Sequence, residues 1–484
     1  MIRFKLIVAF IIAGVVTGGI SNAGATCIGA TPTWHSTPDR DSLATCVTNA
    51  ISGDRIIVSS GTATWDSAVI WNSKNLTLIG AGIDRTIIIS NAEIFQFGTG
   101  ENPVANSSRI TGFTLKCSAI PATSAARIQV AGRNWRIDNN KFDCAHVTSN
   151  QLGVYARGSS KTSQSKGLID SNSFYNARVL VQDYPGTSQR ELNGTNHWST
   201  PLGLGTDEAV YVEDNHFVLT VFGNVVDSND AGRYVFRFNA VTDAYIEAHG
   251  IGNNEYRRGA RKWEIYHNIL NAAYRTPAFI TFLRSGTGIV FNNTATGTFN
   301  AGYTIDHRRS YENNTQIGPC NGTSTWDGNN LTSGWLCRDQ IGAGADSSTW
   351  PSGFAPPTQA AVPAYFFLNT RNGLNAPVEI NPQANMHIIP NRSFYDYLPS
   401  FDGRTGVGSG KISSRPSTCQ VGTGYWAIDE GEWNSLNAGP DGRFYKCSAA
   451  NMWSLYYTPY TYPHPLRNTE VITPPAQPGG LTAH

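Results

Sequence analysis

The sequence predicts an all-β fold: a right-handed parallel β-helix with an N-terminal capping helix and an aromatic-rich C-terminal segment. Three observations lead to this prediction. Asparagines recur in aligned segments, turn-forming residues are abundant, and long helical periodicity is absent. Charged residues make up only 15% of the chain, which contains 48 glycines. Such a composition favours short strands joined by many turns.

Six segments in the middle of the chain align without gaps on a shared asparagine. Each has an apolar residue three positions before the asparagine, and most have another two positions after it. The intervals between the asparagines are 32, 43, 24, 29 and 25 residues. The shared positions are Asn140, Asn172, Asn215, Asn239, Asn268 and Asn293.

These intervals predict the stacked coils of a solenoid. A short interval matches one coil, and a long interval matches a coil that carries an inserted loop. Equivalent residues then lie above one another, so a buried asparagine can satisfy turn backbone groups that no strand pairing reaches. The apolar neighbours alternate inward and fill the core. A β-sandwich is the alternative, but it leaves the six aligned repeats as coincidence.

A second short strand is predicted before each asparagine segment. The connection between the two strands varies from three residues at 132–134 to the long loop 183–208. Solenoids place binding sites on variable loops of this kind. The predicted strands cover residues 127–131, 152–156, 179–182, 223–226, 245–248 and 278–283.

The N terminus has the pattern of a secretory signal. Arg3 and Lys5 precede an apolar run, and Ala23-Gly24-Ala25 offers a cleavage site. We therefore predict a signal peptide over residues 1–25 and a secreted protein, extracellular or periplasmic. The apolar run is too short for a lasting anchor, and no later stretch approaches about 18 apolar residues, so we predict no membrane span.

The charge balance argues against nucleic acid as a partner. Without Arg3 and Lys5, the 36 basic side chains become 34, against 35 acidic ones. A nearly neutral chain does not support broad electrostatic binding to nucleic acid or anionic lipid. We expect a monomer whose partner is a polysaccharide substrate.

The cysteines predict disulfides. Eight cysteines after a secretory signal indicate four bonds in an oxidising compartment. Sequence alone leaves the connectivity open, and we predict pairing in chain order. A zinc site is the alternative, but neither a Cys-x-x-Cys motif nor a histidine at ligand spacing supports it. The predicted pairs are Cys27–Cys46, Cys117–Cys144, Cys320–Cys337 and Cys419–Cys447.

The domain prediction divides the mature chain into three parts. Residues 26–315 form the β-helix domain, and an amphipathic helix from Asp41 to Ile51, with an aspartate or serine at its N-cap, covers its open end. Residues 316–470 form a loop-rich, disulfide-tied segment that packs on the β-helix. Residues 471–484 are a flexible tail. The aromatics of the C-terminal segment are interpreted either as a packing core or as a carbohydrate-binding platform.

One segment resembles a known family. Ser42-Leu-Ala-Thr-Cys46, followed by Ala50-Ile-Ser-Gly53 and Asp54-Arg-Ile-Ile-Val58-Ser-Ser-Gly61, is similar to the entry segment of secreted pectate-lyase-like proteins. The resemblance covers roughly residues 40–300 and implies a right-handed parallel β-helix. The superfamily includes lyases, hydrolases, esterases, epimerases and non-enzymatic adhesins, so the resemblance implies the fold more strongly than the activity.

Charged residues that gather at strand ends and loops supply the candidate site. The predicted catalytic residues are His249, Arg258, Arg284, Asp227 and Glu247. The predicted substrate-binding residues are Arg157, Arg257, Arg261, His197 and Trp198. Asp183, Asp227 and Asp230 are predicted ligands of a Ca²⁺ ion, which takes several oxygen ligands.

Three functions fit these residues. A lyase would neutralise a uronate carboxylate with Arg258 or Arg284 and remove the C5 proton with His249. A glycoside hydrolase would instead place Asp227 or Asp230 across the glycosidic bond from Glu247. A non-enzymatic carbohydrate-binding or surface structural protein is the third possibility. We predict the lyase, acting on a uronate-containing polymer by β-elimination.

Two partial motifs leave the reaction class open. Ala248-His249-Gly250 resembles the Gly-His-Gly of polygalacturonase-type hydrolases, but its first glycine is absent. Arg275-Thr-Pro277 resembles the Arg-x-Pro-x-x-Arg of pectate lyases, but Arg284 lies too far along the chain. Each candidate also has a structural interpretation: the arginines as cross-coil ion pairs, and the aspartates as turn formers.

Overall fold

The computed structural model describes most of the chain after the predicted signal peptide. Residues 1–25 and the predicted tail, 471–484, lie outside the described residues. The described ranges are 26–98, 107–118, 125–158, 164–183, 195–252, 257–311, 317–320, 324, 327, 336–348 and 357–468.

Three long sheets dominate the described residues, and nearly all neighbouring strands in them are parallel. In spatial order, the first sheet contains Cys27–Ala30, Thr33–Ser36, Arg55–Val58, Thr77–Gly80, Arg109–Thr111, Arg133–Asp138, Lys166–Asp170, Val210–Glu213, Arg233–Arg237, Lys262–Tyr266, Thr287–Phe291, Ala364–Phe367 and Phe394–Asp396. The second contains Leu374–Asn375, Thr370–Arg371, Thr294–Gly297, Ile269–Ala272, Ala240–Thr242, His216–Val218, Ser173–Tyr175, Lys141–Asp143, Thr114–Cys117, Thr86–Ser90 and Gly61–Trp65. The third contains Val378–Ile380, Tyr303–Ile305, Thr281–Leu283, Tyr245–Ala248, Asn224–Asn229, Ala177–Gln182, Gln151–Arg157, Ile128–Val130, Phe95–Phe97 and Val69–Trp71.

Successive strands visit the three sheets in rotation. The chain passes from Arg233–Arg237 in the first sheet to Ala240–Thr242 in the second and Tyr245–Ala248 in the third. It then returns to the first sheet at Lys262–Tyr266, which pairs in parallel with Arg233–Arg237. Each turn of the chain therefore lies on the one before it. This arrangement of stacked parallel strands is compatible with the predicted parallel β-helix.

The asparagine ladder is confirmed. The side-chain amide of each member donates to the amide oxygen of the next, over N···O distances of 2.9–3.2 Å. Asn239 also donates to the carbonyls of Val212 and Arg237, so it links its own turn to the coil below. The ladder extends one member beyond the predicted set, to Asn369. Sequence spacing missed Asn369 because a long insertion separates it from Asn293.

The ladder stabilises a strained turn on every coil. The residue before each ladder asparagine has a positive φ, from 51° at Asn139 to 57° at Ser171. Phe238 and Leu368 adopt this left-handed conformation although they are neither glycine nor asparagine. The conformation costs about 1 kcal/mol for such residues. The buried asparagine hydrogen bonds offset that cost by fixing the turn.

The interior is filled by aligned apolar side chains. Phe142, Phe174 and Phe217 come from three successive coils and stack with ring centroids 4.4 and 4.5 Å apart. All three are fully buried. This apolar column follows the ladder because each phenylalanine lies two residues after its asparagine.

An α-helix, Arg40–Asn49, begins close to the predicted position. Its N-cap is Asp39, whose carboxylate accepts hydrogen bonds from the backbone of Asp41 and Ser42, so the predicted start is corrected by about two residues. No helix in the described part of the chain is long and apolar enough to cross a membrane. The other helical segments among the described residues are Thr195–Trp198 and the 3₁₀ turns Arg308–Ser310, Pro382–Ala384, Ile412–Ser414 and Pro465–Asn468.

All four predicted disulfides are confirmed, with pairing in chain order. The Cα–Cα distances within the pairs run from 5.0 to 6.0 Å. A chain with four disulfides suits an oxidising environment, extracellular or periplasmic.

The sheets continue past residue 315, where the β-helix domain was predicted to end. Ala364–Phe367 and Phe394–Asp396 extend the first sheet. The insertion before them carries the antiparallel pair Ala343–Asp346 and Gln359–Ala361. Composition suggested a boundary because this insertion is loop-rich, but the coil pattern resumes after it.

A separate sheet near the C terminus packs on the outer face of the first sheet. It consists of Val407–Gly410, Gly424–Ala427, Arg443–Ala449 and Met452–Tyr457. Trp426, from this sheet, contacts Phe291 and Phe367 of the first sheet at ring-centroid distances of 4.9 and 5.3 Å. These rings are almost fully buried. The described aromatics at this contact therefore serve as a packing core.

Candidate functional site on the third sheet

Three neighbouring strands of the third sheet bring the candidate residues together. Asp227 lies on Asn224–Asn229 and Glu247 on Tyr245–Ala248, while Arg284 directly follows Thr281–Leu283. Val226, Ile246 and Leu283 on the same strands are fully buried in the core. Because side chains alternate along a strand, the charged residues lie on the outer face.

His249 is the most accessible member of the cluster. Its side chain is 32% exposed, against 7% for Asp227 and for Glu247. The ring Nδ1 lies 3.5 Å from Asp227 Oδ2 and 3.5 Å from Glu247 Oε1. Arg284 Nη2 lies 2.6 Å from the same ring nitrogen. One nitrogen of the ring thus faces two carboxylates and a guanidinium.

Glu247 is held in place by three neighbours. Asn224 and Arg284 donate hydrogen bonds to its two carboxylate oxygens. Burial raises the pKa of Tyr245, and the neighbouring carboxylates of Glu247 and Asp227 raise it further. Tyr245 consequently keeps its proton and acts as a hydrogen-bond donor at this site.

Asp227 is held as a carboxylate. Burial alone would raise the pKa of Asp227, but His249, Arg178 and Arg284 outweigh it and hold the pKa below its usual value. Arg178 Nη1 lies 3.7 Å from Asp227 Oδ2, and the Ser228 amide donates to Oδ1 over 2.8 Å. Asp227 therefore presents a negative charge to the imidazole.

Arg258 does not join this cluster. It is fully buried and forms two-pronged ion pairs with Asp339 and Asp346, with N···O distances between 2.6 and 3.0 Å. Burial opposes its charge, but the two carboxylates outweigh that effect and raise the pKa of Arg258. The guanidinium links segment 257–262, where a first-sheet strand begins, to the insertion at 336–348. Its engagement there leaves it without access to a substrate carboxylate.

Arg261, His197 and Trp198 also lie inside the protein rather than along a groove. The guanidinium carbons of Arg258 and Arg261 lie 4.8 and 4.9 Å from the Trp198 ring, which is fully buried between them. His197 Nδ1 lies 3.1 Å from Asp183 Oδ2, and both side chains are 3% exposed. Burial, with Arg233 nearby, lowers the pKa of Arg261 to about 9.

Two of the predicted substrate-binding arginines are more accessible. Arg157 ends the strand Gln151–Arg157, and its guanidinium carbon lies 5.9 Å from the Tyr155 ring centroid. Arg257 is exposed. The Arg157 side chain is partly exposed.

The residues present do not fit the predicted Ca²⁺ ion. Within the described ranges, Asp227 groups with Glu247 and His249, whose ligand atoms lie within 4.8 Å of one another, and Asp183 and Asp230 are not in that group. Ca²⁺ takes six to eight oxygen ligands, whereas this group supplies an imidazole nitrogen and contacts the guanidinium of Arg284.

Sequence reasoning missed Arg178, Asn224 and Tyr245. Arg178 Nη1 also donates to Asn224 Oδ1 over 3.0 Å, and its side chain is 28% exposed. All three lie early on their strands, and only strand register would have placed them beside the later residues. A column of polar residues on successive third-sheet strands was the available signal.

The arrangement suits proton transfer at His249. Two carboxylates and the guanidinium of Arg284 face Nδ1 of the ring. Within the described residues, the hydrogen bonds to this ring involve Nδ1, so Nε2 is the atom that can exchange a proton with a ligand.

No protein-family model matches the chain, and no curated protein sequence matches it.

Proposed function

We propose that this protein is a secreted polysaccharide lyase that cleaves a uronate-containing polymer by β-elimination. The observation that carries the proposal is the placement of His249, one-third exposed, against two buried carboxylates. An imidazole that a ligand can reach is able to act as a general base. We also propose that the stacked sheets form a right-handed parallel β-helix of the pectate-lyase-like kind, with Arg40–Asn49 as its cap.

The neutral imidazole needs a particular tautomer for this role. For Nε2 to accept a proton, the ring hydrogen must lie on Nδ1, facing Asp227 and Glu247. The 2.6 Å contact from Arg284 to Nδ1 favours the opposite tautomer. We infer that the uronate carboxylate draws Arg284 away, so substrate binding itself makes His249 a base. Arg178, 28% exposed, supports the same carboxylate.

In the elimination, His249 alone takes up the proton and returns it. His249 Nε2 takes the C5 proton, the electrons of that C–H bond form the C4–C5 double bond, and the C4–O bond breaks. The imidazolium returns its proton to the leaving oxygen, which becomes a free hydroxyl. The products are an unsaturated uronate end and a new reducing end, and the enzyme is regenerated.

A glycoside hydrolase is the second candidate. The carboxylates of Asp227 and Glu247 lie within 4.8 Å of each other, close to the roughly 5 Å of retaining glycosidases. Such an enzyme needs one carboxylic acid that keeps its proton. The lowered pKa of Asp227, and the donors that occupy both oxygens of Glu247, argue against that role.

Product analysis tests the proposal. The purified secreted chain is incubated with polygalacturonate, alginate and a neutral polymer, each with and without a chelator. We expect ultraviolet absorbance from an unsaturated product of a uronate polymer, unchanged by the chelator. New reducing ends without that absorbance would show that the enzyme is a hydrolase and not a lyase. The absence of any product would favour a carbohydrate-binding protein and overturn the enzymatic proposal.

A further inference from the structure

A partly exposed row of aromatic residues lies beside the charged cluster. Its members, Phe222, Tyr245, Phe279 and Phe282, are called here the aromatic ledge. Phe222 is 67% exposed, Phe279 is partly exposed, and Tyr245 and Phe282 are 7% and 6% exposed. Exposed aromatic surface of this kind marks a binding site more often than a lone apolar residue does.

The rings of the aromatic ledge form a continuous chain. Tyr245 lies between Phe222 and Phe279, at ring-centroid distances of 5.9 and 5.6 Å. Phe279 stacks on Phe282 at 4.1 Å with the two planes 4° apart. The guanidinium of Arg284 lies 4.9 Å from the Phe282 centroid and reaches His249. The chain of rings therefore ends at the charged cluster.

The aromatic ledge and the charged cluster use the same three coils. Phe222 lies two residues before the strand that carries Asp227, and Tyr245 begins the strand that carries Glu247. Phe282 lies on the strand before Arg284. Strands in a sheet are about 4.8 Å apart, so both rows run along the coil axis for about 10 Å. The two rows are parallel, one apolar and one charged.

The turns that carry the aromatic ledge are fixed by hydrogen bonds. The Asp243 carboxylate accepts from the backbone amides of Ala273, Tyr274 and Arg275, at 2.8–3.1 Å. Arg275 in turn donates to the Thr220 carbonyl over 2.8 Å, which ties the Phe279 turn to the Phe222 turn. A ledge held in this way binds without losing much conformational freedom.

We propose that the aromatic ledge is a sugar-stacking subsite, which holds the polymer along the coil axis while one uronate unit lies at His249. The assignment rests on the proposed polysaccharide function and adds the binding mode. One face of a pyranose ring presents C–H groups that pack on an aromatic ring as apolar surface. The three coils are long enough for a disaccharide unit of an extended chain.

Gel retardation tests the subsite. The full secreted chain is run through gels that contain polygalacturonate, alginate or a neutral β-linked glucan. We expect Phe222→Ala and Phe279→Ala to weaken retardation about fivefold, which corresponds to about 1 kcal/mol. Ile269→Ala, 60% exposed on the neighbouring second sheet, is the matched control and should leave retardation unchanged. Circular dichroism confirms that each variant is folded.

The outcomes separate the subsite from the reaction. Wild-type retardation in both ring variants, or no retardation of the wild type by any polymer, overturns the subsite. Loss of retardation in Phe222→Ala, without a cleavage product from the wild type, keeps the subsite and removes the lyase. A cleavage product from the wild type, together with unchanged retardation of both variants, would support the lyase and remove the subsite. Where cleavage occurs, we expect a raised KM and a kcat within about twofold of the wild type.

Discussion

The outer faces of the first and third sheets differ although the same coils build both. On the first sheet, aromatic residues such as Tyr266 and Phe291 face outward and are fully buried beneath the C-terminal sheet. On the third sheet, the same coils present Asp227, Glu247 and His249, and within the described residues the His249 side chain remains 32% exposed. One face is sealed by packing, and the other retains charge.

We therefore expect the covered face to contribute mainly to stability and the outer face of the third sheet to carry the proposed chemistry. The covered face also holds charged groups, but these are paired: Arg237 is fully buried, bonds to Glu213, and donates to the carbonyls of Tyr460 and Thr461. Such pairing fixes the C-terminal segment. On the third sheet, His249 keeps one ring nitrogen for a ligand. Variants on the two faces should therefore change different measurements.

The largest effect is expected at His249. His249→Ala should lower kcat on a cleaved uronate polymer by about a thousandfold, because it removes the group that takes the proton. His216→Ala, exposed on the second sheet, should leave kcat unchanged. Steady-state absorbance assays on both variants supply the comparison. Equal activity of His249→Ala and the wild type would remove this residue from the mechanism.

On the covered face, loss of one large ring should reduce stability without changing chemistry. Trp426→Ala should lower the free energy of unfolding by about 3 kcal/mol, because a buried ring against Phe291 and Phe367 is replaced by a cavity. Leu455→Ala, 54% exposed on the same C-terminal sheet, should cost much less. Urea unfolding measures both, and kcat at a temperature well below unfolding should stay at the wild-type value. A large loss of kcat in folded Trp426→Ala would contradict the separation of the two faces.

The repeat was readable from the sequence because its signal is periodic. Each of the six predicted ladder asparagines follows an apolar residue by three positions, so Asn215, Asn239 and Asn268 could be aligned before their contacts were known. The strands before them follow from the same register. Asn369 was missed because the insertion after Asn293 hides the period, and coil stacking continues past the boundary expected at residue 315.

The candidate site was only partly readable. Asp227, Glu247, His249 and Arg284 were found because residues at equivalent strand ends of adjacent coils become neighbours. Arg258 was placed in the same set because it lies in the loop that follows His249. Its partners come from the insertion some 80 residues later. No local pattern specifies a contact of that length. The aromatic ledge needed ring positions on three separate turns.

A change of pH also separates the two faces. Burial lowers the pKa of His267 and of His464 to about 4; His267 contacts Trp433 of the C-terminal segment, and His464 belongs to that segment. His464 Nδ1 accepts from the Leu466 amide over 3.1 Å, so protonation there costs a hydrogen bond. Its charged neighbours are Glu213, Arg237, Asp207 and Arg467, and those of His267 are Asp441 and Arg237.

Because the unfolded chain binds these protons near pH 6.5 and the folded chain only near pH 4, stability should fall as the pH falls between those values. Between pH 7 and pH 4 the loss should reach about 3 kcal/mol for each histidine. Urea midpoints at pH 7, 5.5 and 4 measure it, and His464→Gln, which cannot take a proton, should flatten the profile. An identical slope in His464→Gln and the wild type would show that His464 contributes no such pH dependence. The loss of stability on acidification would then have to come from His267 or from groups elsewhere in the fold, since His464 would titrate as it does in the unfolded chain.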